Sequence, residues 1–307
     1  KLMASGITEV YLEESRENES PLDRQKSKLE GAFRVGQVIV SDVIEQVRDG
    51  RPINSDDLKE AVEILYPEVV ASTNVFTHLL KLRNKDEYTA QHSIAVGAIG
   101  VKICQLLGLA EEQAKIVGMA GVMHDIGKVR LPDSILNKPY NLNSQEWELM
   151  KKHPQFGYEI LKTMKDIAPE IQLAVLQHHE RLDGSGYPLG FTAKKIHLYS
   201  RILAVSDSFD AMTTERVYNQ PLSIFDASKE LLSLAYRNQL DIQIVIRFVH
   251  YLVDMSPGQK VLLNTGQIAE VILPNKSEPT RPLVQVGDVF FNLEHTRDVW
   301  IDSIINT

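Results

Sequence analysis

Residues 111–128 read EEQAKIVGMAGVMHDIGK, and within them Val117, Gly121 and His124 recur at steps of four and three. That spacing puts the three on one face of an α-helix, so His124 and Asp125 are expected at the core-facing end of a helix. Gly127 reads as the helix stop, which places the His-Asp pair on the final turn and leaves Lys128 free to reach a ligand.

The helical period extends to both sides. Upstream, Leu29, Phe33, Gly36, Val40, Val43 and Val47 alternate steps of four and three, which suits one long amphipathic helix. It packs on its own domain or, in a second reading, pairs with another copy as a coiled-coil homodimer. Gly50 and Pro52 stop it, Ser55 with Asp56 and Asp57 marks the next start, and helical patterns run over 58–65, 69–82 and 88–107. Downstream, Asn143 and Glu146 form a capping box for a helix reaching His153, and Pro169 suits the first turn of a helix reaching Glu180. Three more helical stretches, 199–213, 223–235 and 241–253, follow.

Only past Pro257 and Gly258 does the period change, to short β-rich runs at 261–263, 268–273, 283–286 and 289–293. The expected fold class is mainly α: a helical bundle with an N-terminal helical region and a small C-terminal β appendage. Residues 1–20 read as the tail of an upstream domain and a charged linker, 21–74 as the N-terminal helical region, 75–255 as the central domain and 256–307 as the appendage.

Composition narrows the partners. A formal net charge of -8 argues against a groove that tracks the phosphates of DNA or RNA, so an anionic ligand needs a local site. The single cysteine, Cys104, excludes an internal disulfide framework and favours a reducing compartment, with the cytoplasm as the expectation. No apolar run reads as a membrane segment, and the N-terminus lacks a signal-peptide pattern. The chain begins at Lys1 rather than Met, and an upstream sensory, receiver or membrane segment is a reading left open.

A lone histidine on an apolar helix face is more often a hydrogen-bonded core residue than a ligand. Five of the nine histidines, however, lie on helices or helix ends in company with aspartates: His92, His124-Asp125, His153, His178-His179 and Asp207. Imidazole nitrogen with carboxylate oxygen suits first-row ions, Fe, Mn or Zn, better than Mg or Ca. Such a ligand set exceeds the needs of one ion and suits two divalent ions sharing a bridging carboxylate, an arrangement that hydrolyses phosphoesters. His178 and His179 lie about a hundred degrees apart around a helix, so both reach one site only near its end. His78, His197, His250 and His295 lack acidic company and read as structural or surface residues.

The runs His124-Asp125-Ile126-Gly127-Lys128 and His178-His179-Glu180-Arg181-Leu182-Asp183-Gly184-Ser185-Gly186-Tyr187-Pro188 resemble the signature of the HD-GYP family of bacterial cyclic dinucleotide phosphodiesterases. Tyr88 to Ser93, Lys152-His153-Pro154 and Asp207 to Thr213 fit the same pattern, and the likeness covers roughly residues 75–255. The resemblance implies an HD-type bundle in which the seven residues above are metal ligands, Asp125 bridges, and Lys128 contacts the scissile phosphate. It further implies ring opening of cyclic di-GMP or cyclic GMP-AMP to a linear dinucleotide in second-messenger signalling. Asp183 would cap, or orient a histidine ligand, or donate a proton. Gly186, Tyr187 and Pro188 read first as a structural turn, and otherwise would shape the substrate mouth or dock a diguanylate cyclase. Two departures stand out. Tyr88 occupies the position of a Glu that holds a third metal in some members, so two ions are expected. Arg216-Val217-Tyr218-Asn219 replaces a usual Arg-Pro-Tyr followed by a basic residue, so Arg216 keeps a planar donor for substrate while Asn219 gives up a charge. The competing readings are a non-catalytic nucleotide receptor or scaffold, and an HD phosphohydrolase of nucleoside phosphates or alarmones.

Overall fold

A computed structural model describes residues 21–72, 75, 76, 79, 88–138, 140–214, 221–254, 257–275 and 277–305. The long N-terminal helix α1 (Pro21–Arg48) buries Leu29, Phe33, Val40 and Val43, the stripe its sequence spacing marks. Helix α2 (Ser55–Ala71) starts one residue earlier in its capping than expected, because Asn54 accepts from the Asp56 amide, and it runs on through Pro67. Buried side chains of both helices join the same apolar cluster as those of the central bundle.

At the centre lies α3 (Tyr88–Leu107), which is buried all round from Ala90 to Cys104. By length and apolarity alone Thr89–Leu107 would suit a membrane span, contrary to the expectation from sequence, but 83% of that window is buried inside the bundle, as befits a core helix. Helix α4 (Glu111–Met123) crosses it at Gly97 and Gly121, where a Cβ on Gly121 would lie 2.7 Å from the Gly97 Cα. The two backbones therefore touch, and this contact fixes His92 of α3 against His124 at the end of α4.

Three expected helix ends are corrected. Helix α4 stops at Met123, Asp125 sits in the bridge region (φ −99, ψ 4), and the chain continues as a 3₁₀ turn over Ile126–Arg130. Gly127 does not end the helix. It is seated on the backbone of His153 and Gly157, where no side chain fits. Likewise the capping box of Asn143 and Glu146 opens a short helix, α6 (Ser144–Met150), after the single turn α5 (Asp133–Leu136). His153 then begins a new helix, α7 (His153–Thr163), with Pro154 in its first turn.

Helix α8 (Pro169–Gln177) opens on Pro169 as expected but ends before Glu180, with His178 as its cap. The bundle is completed by α9 (Leu198–Thr213), α10 (Ile224–Tyr236) and α11 (Ile242–Asp254). The chain then forms an antiparallel sheet of β1 (Lys260–Leu263), β2 (Ile268–Leu273), β3 (Leu283–Val286), β4 (Val289–Asn292) and β5 (Ile301–Ile304), in the order β4-β3-β2-β1-β5. The last strand was not anticipated. Alternation buries Val261, Leu263, Ala269, Val271 and Val284 on one face, and their cluster is continuous with the helical core.

Candidate metal centre

The seven side chains singled out by sequence converge from five helices and the turns at their ends. Four of them, Asp125, His153, His178 and His179, offer ligand atoms within 4.8 Å of one another, and so do the other three, His92, His124 and Asp207. Asp125 faces both groups: its Oδ1 lies 3.2 Å from His153 Nε2, and its Oδ2 lies 3.4 Å from His124 Nε2 and 3.7 Å from His92 Nε2. On the far side Asp207 closes the second group, with Oδ1 3.3 Å from His92 Nε2.

The hydrogen bonds behind the rings fix which nitrogen points inward. The Nδ1 of His124 donates to the Gly121 carbonyl at 2.7 Å, that of His153 to the Met150 carbonyl at 2.8 Å, and that of His178 to the Val175 carbonyl at 2.6 Å. His92 Nδ1 lies 2.7 Å from Asp210 Oδ2. Acceptors on this side hold a proton on Nδ1 and turn each Nε2 lone pair into the site. Those nitrogens then meet in pairs, His92 with His124 at 3.2 Å and His153 with His178 at 3.3 Å. Facing lone pairs at such distances require a shared proton or a cation. Asp125 Oδ1 adds a buried carboxylate oxygen without a hydrogen-bond partner. This donor set fits divalent first-row ions.

Burial and neighbouring charges tune these groups in the absence of ions. Burial holds the His178 pKa well below the ordinary imidazole value, reinforced by the surrounding imidazoles. His179 is brought down to about 3 by burial, which outweighs the opposing pull of Asp207. Burial works to raise the Asp125 carboxyl, but Lys128 and His124 overcome it and keep the group well below its usual range. Asp207 is kept low in the same way, chiefly by its hydrogen bond with His92. His92 is the exception among the imidazoles: burial opposes its charge, yet the Asp207 and Asp210 carboxylates push it up to about 9.

At the rim, Lys128 Nζ sits 2.5 Å from Asp125 Oδ2 and is one-third exposed, so it is tethered to the site with part of its side chain open. Tyr187 lays its ring over His179 with centroids 4.7 Å apart, and Trp147 meets Tyr187 edge-on at 6.2 Å. The loop carrying Tyr187 is anchored by Glu180, whose carboxylate accepts from the amides of Leu189 (2.7 Å) and Phe191 (2.9 Å). Gly186 lies against the backbone of His179 to Arg181, where a Cβ could not fit. Pro188 follows through a cis peptide bond.

Asp183, expected near the chemistry, is exposed and uses Oδ1 to accept from the amide and hydroxyl of Ser185 at 2.9 and 2.7 Å. It shapes its own turn, and among the described contacts no histidine is its partner. This fits the capping reading, while two residues to which sequence reading gives no role, Asp210 behind His92 and Glu180 beneath the loop, support the site. Helical spacing from Asp207 was the available signal for Asp210. His197 is structural, capping α9 through the Tyr199 amide. Arg216, Asn219, Glu87 and His78 lie outside the described residues, as does the side chain of Tyr88.

Residues 74–244 match the sequence profile of the HD domain family, which implies a divalent metal site. The chain is 32% identical over 253 residues to a cyclic di-GMP phosphodiesterase of Pseudomonas aeruginosa, covering 82% of this chain and 60% of that protein. It is 40% identical over 154 residues to a cyclic di-GMP phosphodiesterase of Thermotoga maritima, covering 49% of this chain and 41% of the relative. A 3′3′-cGAMP-specific phosphodiesterase of Vibrio cholerae is 40% identical over 149 residues, covering 47% and 28%. The chain thus spans less than two thirds of the length of these relatives. Among solved structures, an HDG"Y"P protein from Bdellovibrio bacteriovorus shares the fold, with a TM-score of 0.61 at 16% identity over 76% of this chain and 73% of that one.

Proposed function

Because the chain belongs to the HD domain family, we propose that it hydrolyses a cyclic dinucleotide, cyclic di-GMP or cyclic GMP-AMP, to a linear dinucleotide at a centre of two divalent ions. The observation that carries this reading is the facing of Nε2 atoms in two separate pairs, with Asp125 presenting one oxygen to each. One ion would be held by Asp125, His153, His178 and His179, the other by His92, His124, Asp207 and the second oxygen of Asp125. Fe or Mn suits this mixed set, and Zn shares the same ligand types.

When bound, such a pair of ions activates water and neutralises the oxygens of a phosphodiester. The protein's own groups then divide the remaining tasks. Lys128, the cation nearest the carboxylate shared by both groups, offsets charge building on a phosphoryl oxygen. A P–O bond forms from water as the bond from phosphorus to one ribose oxygen breaks, and a proton from that water ends on the ribose oxygen, so the ring opens. Asp210 holds His92 in one tautomer, and Glu180 fixes the loop that sets Tyr187 against His179. Incubating metal-replete protein with a panel of cyclic dinucleotides, nucleoside phosphates and alarmones, followed by product analysis, tests the reading. A linear dinucleotide is expected; binding without turnover would make the chain a receptor, and turnover of alarmones alone would make it a different HD phosphohydrolase.

A further inference from the structure

Trp147 belongs to α6, a helix that buries none of its residues. The helix is nonetheless tightly fixed. Asn143 and Glu146 cap it reciprocally at 2.9 and 2.7 Å, and Lys138 binds both Glu146 oxygens at 2.8 and 2.6 Å. On this rigid platform the Trp147 side chain remains 46% exposed, although indole is among the costliest surfaces to leave in water. Its one described ring contact is with Tyr187, at 6.2 Å and an interplanar angle of 76°. Tyr187 in turn lies tilted over His179, with centroids 4.7 Å apart and planes at 34°, and His179 belongs to the group around Asp125. Three rings therefore run outward from the metal centre, and the outermost is the one left open.

From this arrangement we propose that Trp147 is a stacking platform for one purine base of the substrate, a positioning residue that sets affinity for cyclic dinucleotides. The inference rests on the phosphodiesterase reading above and adds to it the residue that recognises the base. Tyr187 already spends one face on His179, whereas the indole has surface to offer two ring-to-ring steps from a candidate ligand. A net charge of -8 gives the chain little long-range attraction for a ligand with two phosphates, so affinity must come from short-range contacts. Stacking provides such contact and tolerates either guanine or adenine, since every base has a π-face.

The test compares Trp147→Ala, Trp147→Leu and Trp147→Phe with wild type, all metal-replete, on cyclic di-GMP and on methyl p-nitrophenyl phosphate, a diester without a nucleobase. For cyclic di-GMP, KM should rise about tenfold or more in the Ala and Leu variants, with kcat much less affected, and Phe should restore most of the loss. For the base-free diester the fall in kcat/KM should be far smaller. Trp300 is the only other tryptophan. In Trp300→Phe protein carrying Lys128→Ala, which slows turnover, cyclic di-GMP should therefore quench the Trp147 emission. An unchanged KM in the Ala and Leu variants, or absence of quenching at saturating nucleotide, overturns the proposal. Equal losses on both substrates do so too, by making Trp147 a mere prop for Tyr187. A wild type that cleaves the base-free diester but no cyclic dinucleotide overturns the underlying reading instead.

Discussion

His92 and His124 face each other through Nε2 at 3.2 Å, while each is held from behind through Nδ1, by Asp210 and by the Gly121 carbonyl. One of these supports is a backbone group that mutation cannot remove, and the other is a side chain. Asp210→Asn should leave the fold intact but loosen the His92 tautomer, weakening metal affinity or activity about ten- to a hundredfold. Chelator competition measures the loss, and added metal should recover much of the rate. Undiminished affinity would show that Asp210 does not orient His92.

Lys128→Ala removes a cation without removing a ligand. Metal content should be retained while the single-turnover rate falls about a hundredfold, as when one transition-state donor is deleted. An unchanged rate would reduce Lys128 to a counterion for Asp125.

The metal-free protein should be most stable near pH 6.5. His178 is held well below its ordinary value and His179 is brought to about 3, so below pH 6.5 the unfolded chain takes up protons that the folded one refuses. Stability present above that pH is lost as the pH falls, by up to about 1.4 kcal/mol per pH unit for each group. His92 has the opposite sign. With its folded value at about 9, its contribution is full below pH 6.5 and is lost as the pH rises through 9. Urea denaturation of chelated protein at about pH 5, 6.5 and 9 checks this. Stability rising steadily from the lowest to the highest pH would contradict it.

Asn219 offers a neutral amide where the resembling family carries a cation. An amide matches the donor and acceptor edge of adenine, whereas guanine's acceptor pair is better served by Arg or Lys. Cyclic GMP-AMP should therefore be cleaved at least as well as cyclic di-GMP, and Asn219→Lys should shift the ratio of specificity constants toward cyclic di-GMP. A wild type that strongly prefers cyclic di-GMP, or a ratio unmoved by the substitution, removes Asn219 as the selector.

The helical bundle was legible because its apolar residues recur at steps of three and four, as at Val117, Gly121 and His124. The convergence of the seven side chains was legible because histidine beside aspartate at helix ends is a chemical pattern rather than a packing one. Helix ends were harder to read. Gly127 carries the usual sign of a stop, but its real constraint is contact with the backbone of His153 and Gly157, which are distant in sequence. The capping box at Asn143 was seen, yet the break before His153 depends on Pro154 opening a second helix. The loop that holds Asp183 and Glu180 was harder to read for a similar reason. Both are acids in one Gly-rich loop, and only the folded loop shows that Glu180 points inward to the amides of Leu189 and Phe191.

Asp125 turns its two oxygens to the two groups of ligands, so a two-ion centre depends on it. The direct measurement is the divalent metal content of anaerobically purified wild type and Asp125→Asn, taken together with turnover of cyclic di-GMP and cyclic GMP-AMP. The wild type should hold about two ions per chain, Fe or Mn foremost, and yield a linear dinucleotide. Asp125→Asn should lose ions from both groups and more than about a hundredfold in rate. Full turnover by Asp125→Asn, or by wild type stripped of metal, would contradict the two-ion centre.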